Sequence, residues 1–192
     1  MKRIGQKLGV AGSLAGAMLL AMSGAHAQSN AANTKASAGK SLTVEVHAIS
    51  TSGVGEARGK VKFEHQPQGV LITPDLKGLE PGLHGFHLHE KPSCDPAEKD
   101  GKTMAGQAAG GHLDPKSSGQ HKGPYAPGHQ GDLPALYVND EGEATLPLFA
   151  PNLKLSDLAG HALMIHAGGD NYADEPEKLG GGGERVACGI IK

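Results

Sequence analysis

Short runs in which apolar and polar residues alternate are the feature that most constrains the fold of this chain. Leu42, Val44 and Val46 alternate with polar residues, and Val61 and Phe63 repeat the pattern. Successive side chains of a β-strand point to opposite faces, so each run presents one apolar face to a core. Further runs bring the predicted strands to about eight, at residues 70–73, 83–89, 133–138, 144–149, 162–166 and 186–191. No stretch has convincing helical periodicity, and the pattern predicts an all-β, antiparallel sandwich or barrel.

Two long segments interrupt this pattern, at residues 91–130 and 171–184. Loops of that length are uncommon inside a compact domain and usually carry function. The first is rich in His and Asp, and the second contains the glycine run 180–183. We therefore expect two long functional loops on a β scaffold. Its core must be built from Val, Leu, Ile and Ala, because Trp is absent and there are only 3 Phe and 3 Tyr.

The first 27 residues have the three zones of a secretory signal. A positive start precedes a short apolar stretch at residues 8–22, and Ala25-His26-Ala27 forms a small-residue cleavage site. A retained membrane anchor is the alternative, but the apolar stretch is too short and too rich in Gly and Ser for a comfortable span. The polar residues 28–40 predict a flexible leader. We expect a signal peptide at 1–27, a leader at 28–40 and one domain at 41–192, with no stable membrane anchor after cleavage.

Charge limits the partners of this domain. Loss of the signal lowers the formal net charge by three, from −2 to −5, because residues 1–27 hold three basic residues and no acidic ones. The mildly acidic domain has no basic tract for nucleic acid and no amphipathic helix for a membrane surface. An anionic substrate therefore needs a local positive patch.

The two cysteines, Cys94 and Cys188, both follow the signal. An even count in an exported protein favours a disulfide, since the compartment outside the cytoplasm is oxidising. Two free buried thiols are the alternative.

The strongest local motif is His87-Leu88-His89 within a predicted strand. Residues two apart share a face of a strand, so the two imidazoles project together and form a natural metal clamp. A pair of surface histidines is the alternative. His84 has the opposite parity, and we expect it to be a hydrogen-bonding histidine, either in the core or in support of the ligands, rather than a ligand itself.

The first long loop and the residues directly after it contain three histidines and one aspartate, His112, His121, His129 and Asp132. Three imidazoles and a carboxylate form a closed tetrahedral set of the kind that zinc prefers. Each histidine taken singly could be an ordinary polar loop residue. Taken together they favour metal binding, which also supplies the energy that orders a loop without apolar anchors.

Three residues near the C-terminus complete the candidates. His166 ends a predicted strand. Asp170 either accepts a hydrogen bond from a ligand imidazole and fixes its tautomer, or is simply a turn aspartate beside glycines. Arg185 is the only arginine in the C-terminal third. It either guides a small anion to a metal or is an ordinary surface arginine.

Four separated segments resemble the copper/zinc superoxide dismutases, particularly their bacterial periplasmic branch. The segments stand in the family's order, with GLHGFHLHE at 82–90, GGHLDP at 110–115, GDLPAL at 131–136 and GGGGERVACGI at 180–190. The likeness spans the chain from about Leu42 onward. It implies an eight-stranded antiparallel Greek-key sandwich or flattened barrel of the immunoglobulin-like type. It also implies a periplasmic enzyme that dismutates superoxide.

The resemblance further implies a role for each candidate ligand. Copper is assigned to His87, His89, His112 and His166, and zinc to His112, His121, His129 and Asp132. His112 is then an imidazolate shared by both ions, since two cations make its deprotonation accessible.

Other roles follow from the same resemblance. Asp170 matches the carboxylate that links copper-side and zinc-side ligands, and Arg185 matches the arginine that holds superoxide beside copper. Cys94 and Cys188 match the family's disulfide. In the implied mechanism, His112 gives a proton to the departing peroxide.

Two matters stay open under this resemblance. The second loop is shorter than the charged loop of the eukaryotic branch, so its steering residues do not transfer. Lys99 and Lys102 are possible substitutes, but the alternative that both are solvated loop lysines is favoured. Monomers and homodimers both occur in the bacterial branch.

Two rival classes of function remain at this stage. A non-catalytic copper or zinc carrier would need the ligands but neither the shared His112 nor Arg185. A cupin-like enzyme with a single metal would use the His87 and His89 pair, but it leaves the histidines of the long loop unexplained.

Overall fold

We describe a computed structural model of the protein, in which residues 41–192 are described. The predicted signal and leader lie outside these residues. Twelve strands occur in the described part, namely β1 Ser41–Ser50, β2 Gly53–Gln66, β3 Gly69–Lys77, β4 Gly82–His84, β5 Phe86–His89, β6 Ala97–Lys99, β7 Lys102–Met104, β8 Leu136–Val138, β9 Glu143–Ala144, β10 Leu148–Ala150, β11 His161–His166 and β12 Arg185–Ile191.

Eight of these strands form one curled antiparallel sheet, in the order β10-β3-β2-β1-β12-β11-β5 with β9 paired to β3. Two small pairs, β4-β8 and β6-β7, lie apart from it. The C-terminal strand β12 is inserted between β1 and β11, so distant parts of the chain become neighbours. The prediction of an all-β antiparallel fold is confirmed.

The alternation in β1 explains how the core forms. Val44 and Val46 are buried, whereas Glu45 between them is exposed. Val44 pairs with Val61 on β2, and Leu42 pairs with the fully buried Phe63. Each such side chain contributes about 1.5–3 kcal/mol when it is fully buried. The core is mostly aliphatic, as the composition predicts, and Phe63 and Phe86 are its buried aromatic residues.

One predicted strand, at residues 83–89, is in fact two strands. β4 pairs with β8, whereas β5 pairs with β11. The change of partner falls at Gly85, which donates its N–H to the Gly168 carbonyl at 2.7 Å and accepts from the His166 N–H at 2.9 Å. A Cβ at Gly85 would lie only 3.0 Å from Cε1 of His87. Glycine therefore allows the close approach that joins β5 to the end of β11.

The first long loop is not free of strands, contrary to expectation. It contains the hairpin β6-β7, whose turn residues Asp100 and Gly101 have φ values of 53° and 74°. Two consecutive positive φ values are typical of a type I′ turn, for which Asp-Gly is a preferred pair. The Asp100-Gly101 dipeptide is therefore a local sequence signal for this hairpin, although the sequence analysis did not predict the hairpin.

The sheet and the disulfide bring the candidate residues to one edge. β5 lies beside β11, so that His87 is paired with Met164, and isolated bridges join His87 to Asp132 and His89 to His112. Cys94 and Cys188 form a disulfide, which ties the first long loop to β12. In the described part of the chain, no helix has the length and apolarity needed to cross a membrane.

Candidate metal centre

Seven predicted ligands meet in one buried cluster. β5 supplies two of them, the end of β11 supplies one, and the first long loop with its continuation supplies four. The seven are His87, His89, His112, His121, His129, Asp132 and His166. Six are buried, and the side chain of His129 is 9% exposed. The structure thus brings together every residue that the sequence singled out as a ligand.

Four imidazoles form the first ligand set, which consists of His87, His89, His112 and His166. One ligand atom of each lies within 4.8 Å of those of the others. The atoms His87 Nδ1, His89 Nε2, His112 Nε2 and His166 Nε2 are buried without a hydrogen-bond partner among the described residues. Leaving a buried polar atom unpaired costs about 1–3 kcal/mol. Four such atoms facing one another fit a metal ion.

In three of these histidines, the ring nitrogen that does not face the ligand set is held by a hydrogen bond. The pairs are His87 Nε2 with Asp170 Oδ2 at 2.7 Å, His89 Nδ1 with the Gly110 carbonyl at 3.0 Å, and His166 Nδ1 with the Gly183 carbonyl at 3.3 Å. An acceptor at one nitrogen places the proton there and leaves the other nitrogen free to bind a metal. The protein therefore selects which nitrogen of each ring faces the set.

The second ligand set is centred on one oxygen of Asp132. Its Oδ1 lies 3.0 Å from Nδ1 of His112, 3.0 Å from Nδ1 of His121 and 3.4 Å from Nδ1 of His129. Ligand atoms placed tetrahedrally at about 2.0–2.1 Å from zinc are about 3.3 Å apart. Three nitrogens and one carboxylate oxygen at these separations fit a zinc ion.

His112 is the member that belongs to both sets. Its Nε2 has no hydrogen-bond partner in the described residues and faces the first set, whereas its Nδ1 is beside Asp132 in the second. His87 also lies close to the second set, but its Nε2 is engaged by Asp170. Among the described ligands, only His112 therefore directs Nε2 toward the first set and Nδ1 toward the second.

Asp170 connects the two sets through the ring nitrogens that do not face the ligand sites. Its Oδ2 accepts from Nε2 of His87 and its Oδ1 from Nε2 of His121, both at 2.7 Å. Burial opposes the charged carboxylate, but the hydrogen bonds from His121 and His87 outweigh it and hold the pKa of Asp170 well below its usual range. The aspartate is thus an anion that orients one imidazole of each set.

The pKa values of the histidines differ between the two sets. Desolvation by burial lowers the pKa of His112 to about 4 and that of His166 to about 3. Burial also opposes a charge on His121, but Asp132 and Asp170 together raise its pKa to about 9. In the protein without metal, the first set is neutral and ready to bind a cation, whereas His121 keeps a proton that a metal must displace.

Arg185 is fixed in the wall of a cavity that reaches the first set. This cavity has a volume of about 550 Å³, and both His112 and His166 line it. The guanidinium donates to the carbonyl oxygens of Gly106 and Gly110, each at 2.7 Å. The Gly110 carbonyl also contacts His89, so a single backbone oxygen positions the arginine and a ligand together.

The structure shows several functional contacts that the sequence did not predict. The carbonyl groups of Gly110 and Gly183 carried no signal, because every residue has a carbonyl. Lys99 lines the cavity whereas Lys102 does not, and Lys178, which was not predicted, lines it too. His84 lies outside both ligand sets, with its ring nitrogens 2.7 Å from the carbonyl oxygens of His166 and Glu80.

The fold and the cluster together define an antiparallel β protein with two buried, histidine-rich ligand sets, and His112 faces both. Comparison with known proteins gives the family. The family profile described as copper/zinc superoxide dismutase (SODC) matches residues 57–191. The Cu-Zn superoxide dismutase of Escherichia coli strain K12 is 54% identical over 150 residues, which cover 78% of this chain and 87% of that protein. Superoxide dismutase [Cu-Zn] 2 of Salmonella typhimurium is 50% identical over 181 residues, which cover 94% of this chain and 98% of that protein.

Solved structures agree with these relatives. The Cu/Zn superoxide dismutase from Brucella abortus matches with a TM-score of 0.78 and 47% identity, over 80% of this chain and 100% of that one. The monomeric copper, zinc superoxide dismutase from Salmonella enterica matches with a TM-score of 0.72 and 51% identity, over the same shares. The chain belongs to the copper/zinc superoxide dismutase family.

Proposed function

We propose that this chain converts superoxide to dioxygen and hydrogen peroxide at a copper ion and a zinc ion joined by His112. The observation that carries the proposal is the direction of the two His112 nitrogens, one toward each ligand set. In His89 and His166 the second nitrogen is held by a backbone carbonyl that belongs to neither set. Nδ1 of His112 instead lies beside Oδ1 of Asp132, an oxygen that also contacts Nδ1 of His121 and His129 and so belongs to the second ligand set.

The donor atoms decide which metal each set holds. The first set, His87, His89, His112 and His166, offers four neutral imidazoles and no carboxylate, which suits copper. The second set, His112, His121, His129 and Asp132, offers three imidazoles and a carboxylate, which suits zinc. The only two cysteines are joined in a disulfide, so no thiolate competes for either ion.

In this mechanism, bound copper supplies the one-electron change and bound zinc supplies a constant positive charge. The overall reaction turns two superoxide ions and two protons into one dioxygen and one hydrogen peroxide. His112 holds a proton at Nε2 after the first superoxide is oxidised, while its Nδ1 stays beside Asp132. It gives that proton to the second superoxide, and water supplies the other proton. Asp170 keeps His87 and His121 oriented throughout the cycle.

Arg185 binds the substrate. Its charge faces the cavity beside His112 and His166, and its two carbonyl contacts leave little freedom to the guanidinium. The domain carries a net negative charge, so a fixed cation next to the reacting atoms offsets the repulsion of an anion. A metal carrier would have no use for such a fixed cation in the wall of an open cavity.

We also propose that residues 1–27 are a signal peptide, that 28–40 form a leader and that the domain works in the periplasm. The three zones of the signal and the disulfide between Cys94 and Cys188 support export to an oxidising compartment. One chain supplies every ligand, so the reaction proceeds equally in a monomer or a homodimer.

The experiment that tests the proposed function is metal analysis combined with a superoxide dismutation assay. We expect the parent protein to bind one copper and one zinc and to dismutate superoxide rapidly. His112→Ala should lose most of the dismutation, whereas His65→Ala, on an exposed position of β2, serves as the control and should match the parent. Full dismutation by His112→Ala would contradict the mechanism.

A further inference from the structure

Two separate cavities are lined by residues of the metal centre. The first, of about 550 Å³, is lined by His112 and His166. The second, of about 300 Å³, is lined by His129 and Asp132. No residue lines both cavities. The first cavity therefore reaches His166 of the first set and the shared His112, whereas the second reaches ligands that belong to the second set alone.

The charges of the two cavities differ as clearly as their ligands. The first carries Lys99, Lys178 and Arg185 against a single acidic residue. The second carries Asp114 and Asp132 against a single lysine, Lys116, besides the imidazole of His129. A cation that approaches through the first cavity is repelled by three fixed positive charges, whereas an anion is attracted there. The second cavity is the one whose charge suits a cation.

His129 is also the ligand nearest to solvent. Its side chain is 9% exposed, compared with 0% for His121 and Asp132 and 1% for His112. Its Nδ1 has no hydrogen-bond partner among the described residues and lies 3.4 Å from Asp132 Oδ1. Nδ1 is itself buried, so an ion in the second cavity meets the partly exposed ring of His129 first, and the ring must move before the ion reaches Nδ1 and the buried carboxylate.

We propose that zinc enters and leaves its site through the second cavity, past Ala126 and His129, while the first cavity serves the anionic substrate. This inference rests on the assignment of zinc to the second ligand set in the proposed function. An ion that came through the first cavity would have to cross the copper ligands before reaching Asp132. The two routes keep a metal cation and a superoxide anion from competing for one opening.

A matched pair of cavity-filling variants tests the route. Ala126→Phe places a ring in the second cavity, and Thr103→Phe places the same ring in the first. Zinc is added to the metal-free full chain, and its uptake is followed by competition with an absorbing chelator. We expect Ala126→Phe to slow zinc uptake several-fold and Thr103→Phe to leave it unchanged. An unchanged rate in Ala126→Phe, or equal slowing by both variants, overturns the proposal.

Charge reversal provides a second readout that does not depend on the fit of a new ring. Lys116→Glu should speed zinc uptake by about threefold at low salt, with the gain disappearing as ionic strength rises. Lys99 is also an exposed lysine but lines the first cavity, and Lys99→Glu should not change the rate. A gain from Lys99→Glu and none from Lys116→Glu would place the route in the first cavity.

Copper and dismutation measurements separate this inference from the proposed function. Protein that already holds copper should take up zinc at the rate of the metal-free protein, whereas a strong slowing would show a shared route and refute the proposal. Loaded Ala126→Phe should contain one zinc and dismutate superoxide as the parent does. A parent protein that takes up zinc by this route but does not dismutate superoxide would refute the proposed function alone.

Discussion

Replacing Asp170 by asparagine tests the connection between the two ligand sets most directly. The carboxylate accepts hydrogen bonds from Nε2 of His87 and Nε2 of His121, each at 2.7 Å, and all three side chains are fully buried. Asparagine has one oxygen and one NH₂ group, so it can accept from only one of the two rings. Its NH₂ group then faces the N–H of the other ring.

The magnitude follows from that lost contact. A hydrogen bond to a charged group contributes about 1.5–3 kcal/mol, which corresponds to roughly 10-fold to 150-fold in a binding constant. Losing an acceptor behind a metal-bound histidine typically lowers metal affinity by about 10-fold to 100-fold, which agrees. We therefore expect Asp170→Asn to bind at least one of the two metals about 10-fold to 100-fold more weakly.

The assay is a competition titration of metal-free protein with zinc and then with copper against chelators of known affinity. Asp140→Asn makes the same chemical change in an exposed turn and should bind both metals as the parent does. If Asp170→Asn holds zinc and copper as tightly as the parent, the carboxylate does not orient the ligands and our account of the centre is wrong.

Three further predictions follow from the same geometry. Arg185→Lys should keep both metals but lower kcat/KM for superoxide roughly tenfold or more, because a lysine lacks the planar guanidinium that contacts two carbonyl oxygens. Stopped-flow measurement of superoxide dismutation tests this, and an unchanged rate would favour a non-catalytic metal carrier. Replacing Cys94 and Cys188 together by serine should lower the free energy of unfolding by up to about 4–5 kcal/mol, which is the chain-entropy value for a loop of this length. Urea unfolding of the oxidised parent and of the variant measures this difference, and equal midpoints would contradict the prediction. Zinc binding near neutral pH should release about one proton from His121, since its pKa of about 9 lies above the ordinary 6.5. The charge on His121 stabilises the metal-free protein fully below pH 6.5, and this stability is lost as the pH rises through 9. Because His121 has already lost its proton well above pH 9, calorimetry in two buffers should find no proton release on zinc binding there.

The placement of His87 and His89 shows how far local reasoning can go. Their spacing of two residues in a strand put both rings on one face, and the structure has both in the first ligand set. The same parity argument set His84 apart, and it does lie outside both sets. These expectations succeeded because the period of a strand is a property of the backbone itself.

The hairpin β6-β7 and the two-part strand at 83–89 mark where local reasoning failed. The hairpin depends on the Asp100-Gly101 turn, which is a local signal that was overlooked. The break between β4 and β5 at Gly85 could not be predicted from the local sequence, because it depends on a hydrogen-bond partner, Gly168, more than eighty residues away in the chain. A change of strand partner is decided by packing across the whole sheet.

The sequence by itself determined the kind of ligands, their grouping along the chain and the β scaffold that carries them, because residue type and alternation are local properties. Only the tertiary structure decided which nitrogen of each ring is free, that His112 alone faces both ligand sets, and that two cavities of different charge reach them. The reason is physical. The free nitrogen of a histidine depends on where a distant carbonyl or carboxylate lies, and that position is set by the cooperative packing of strands and loops rather than by any local segment.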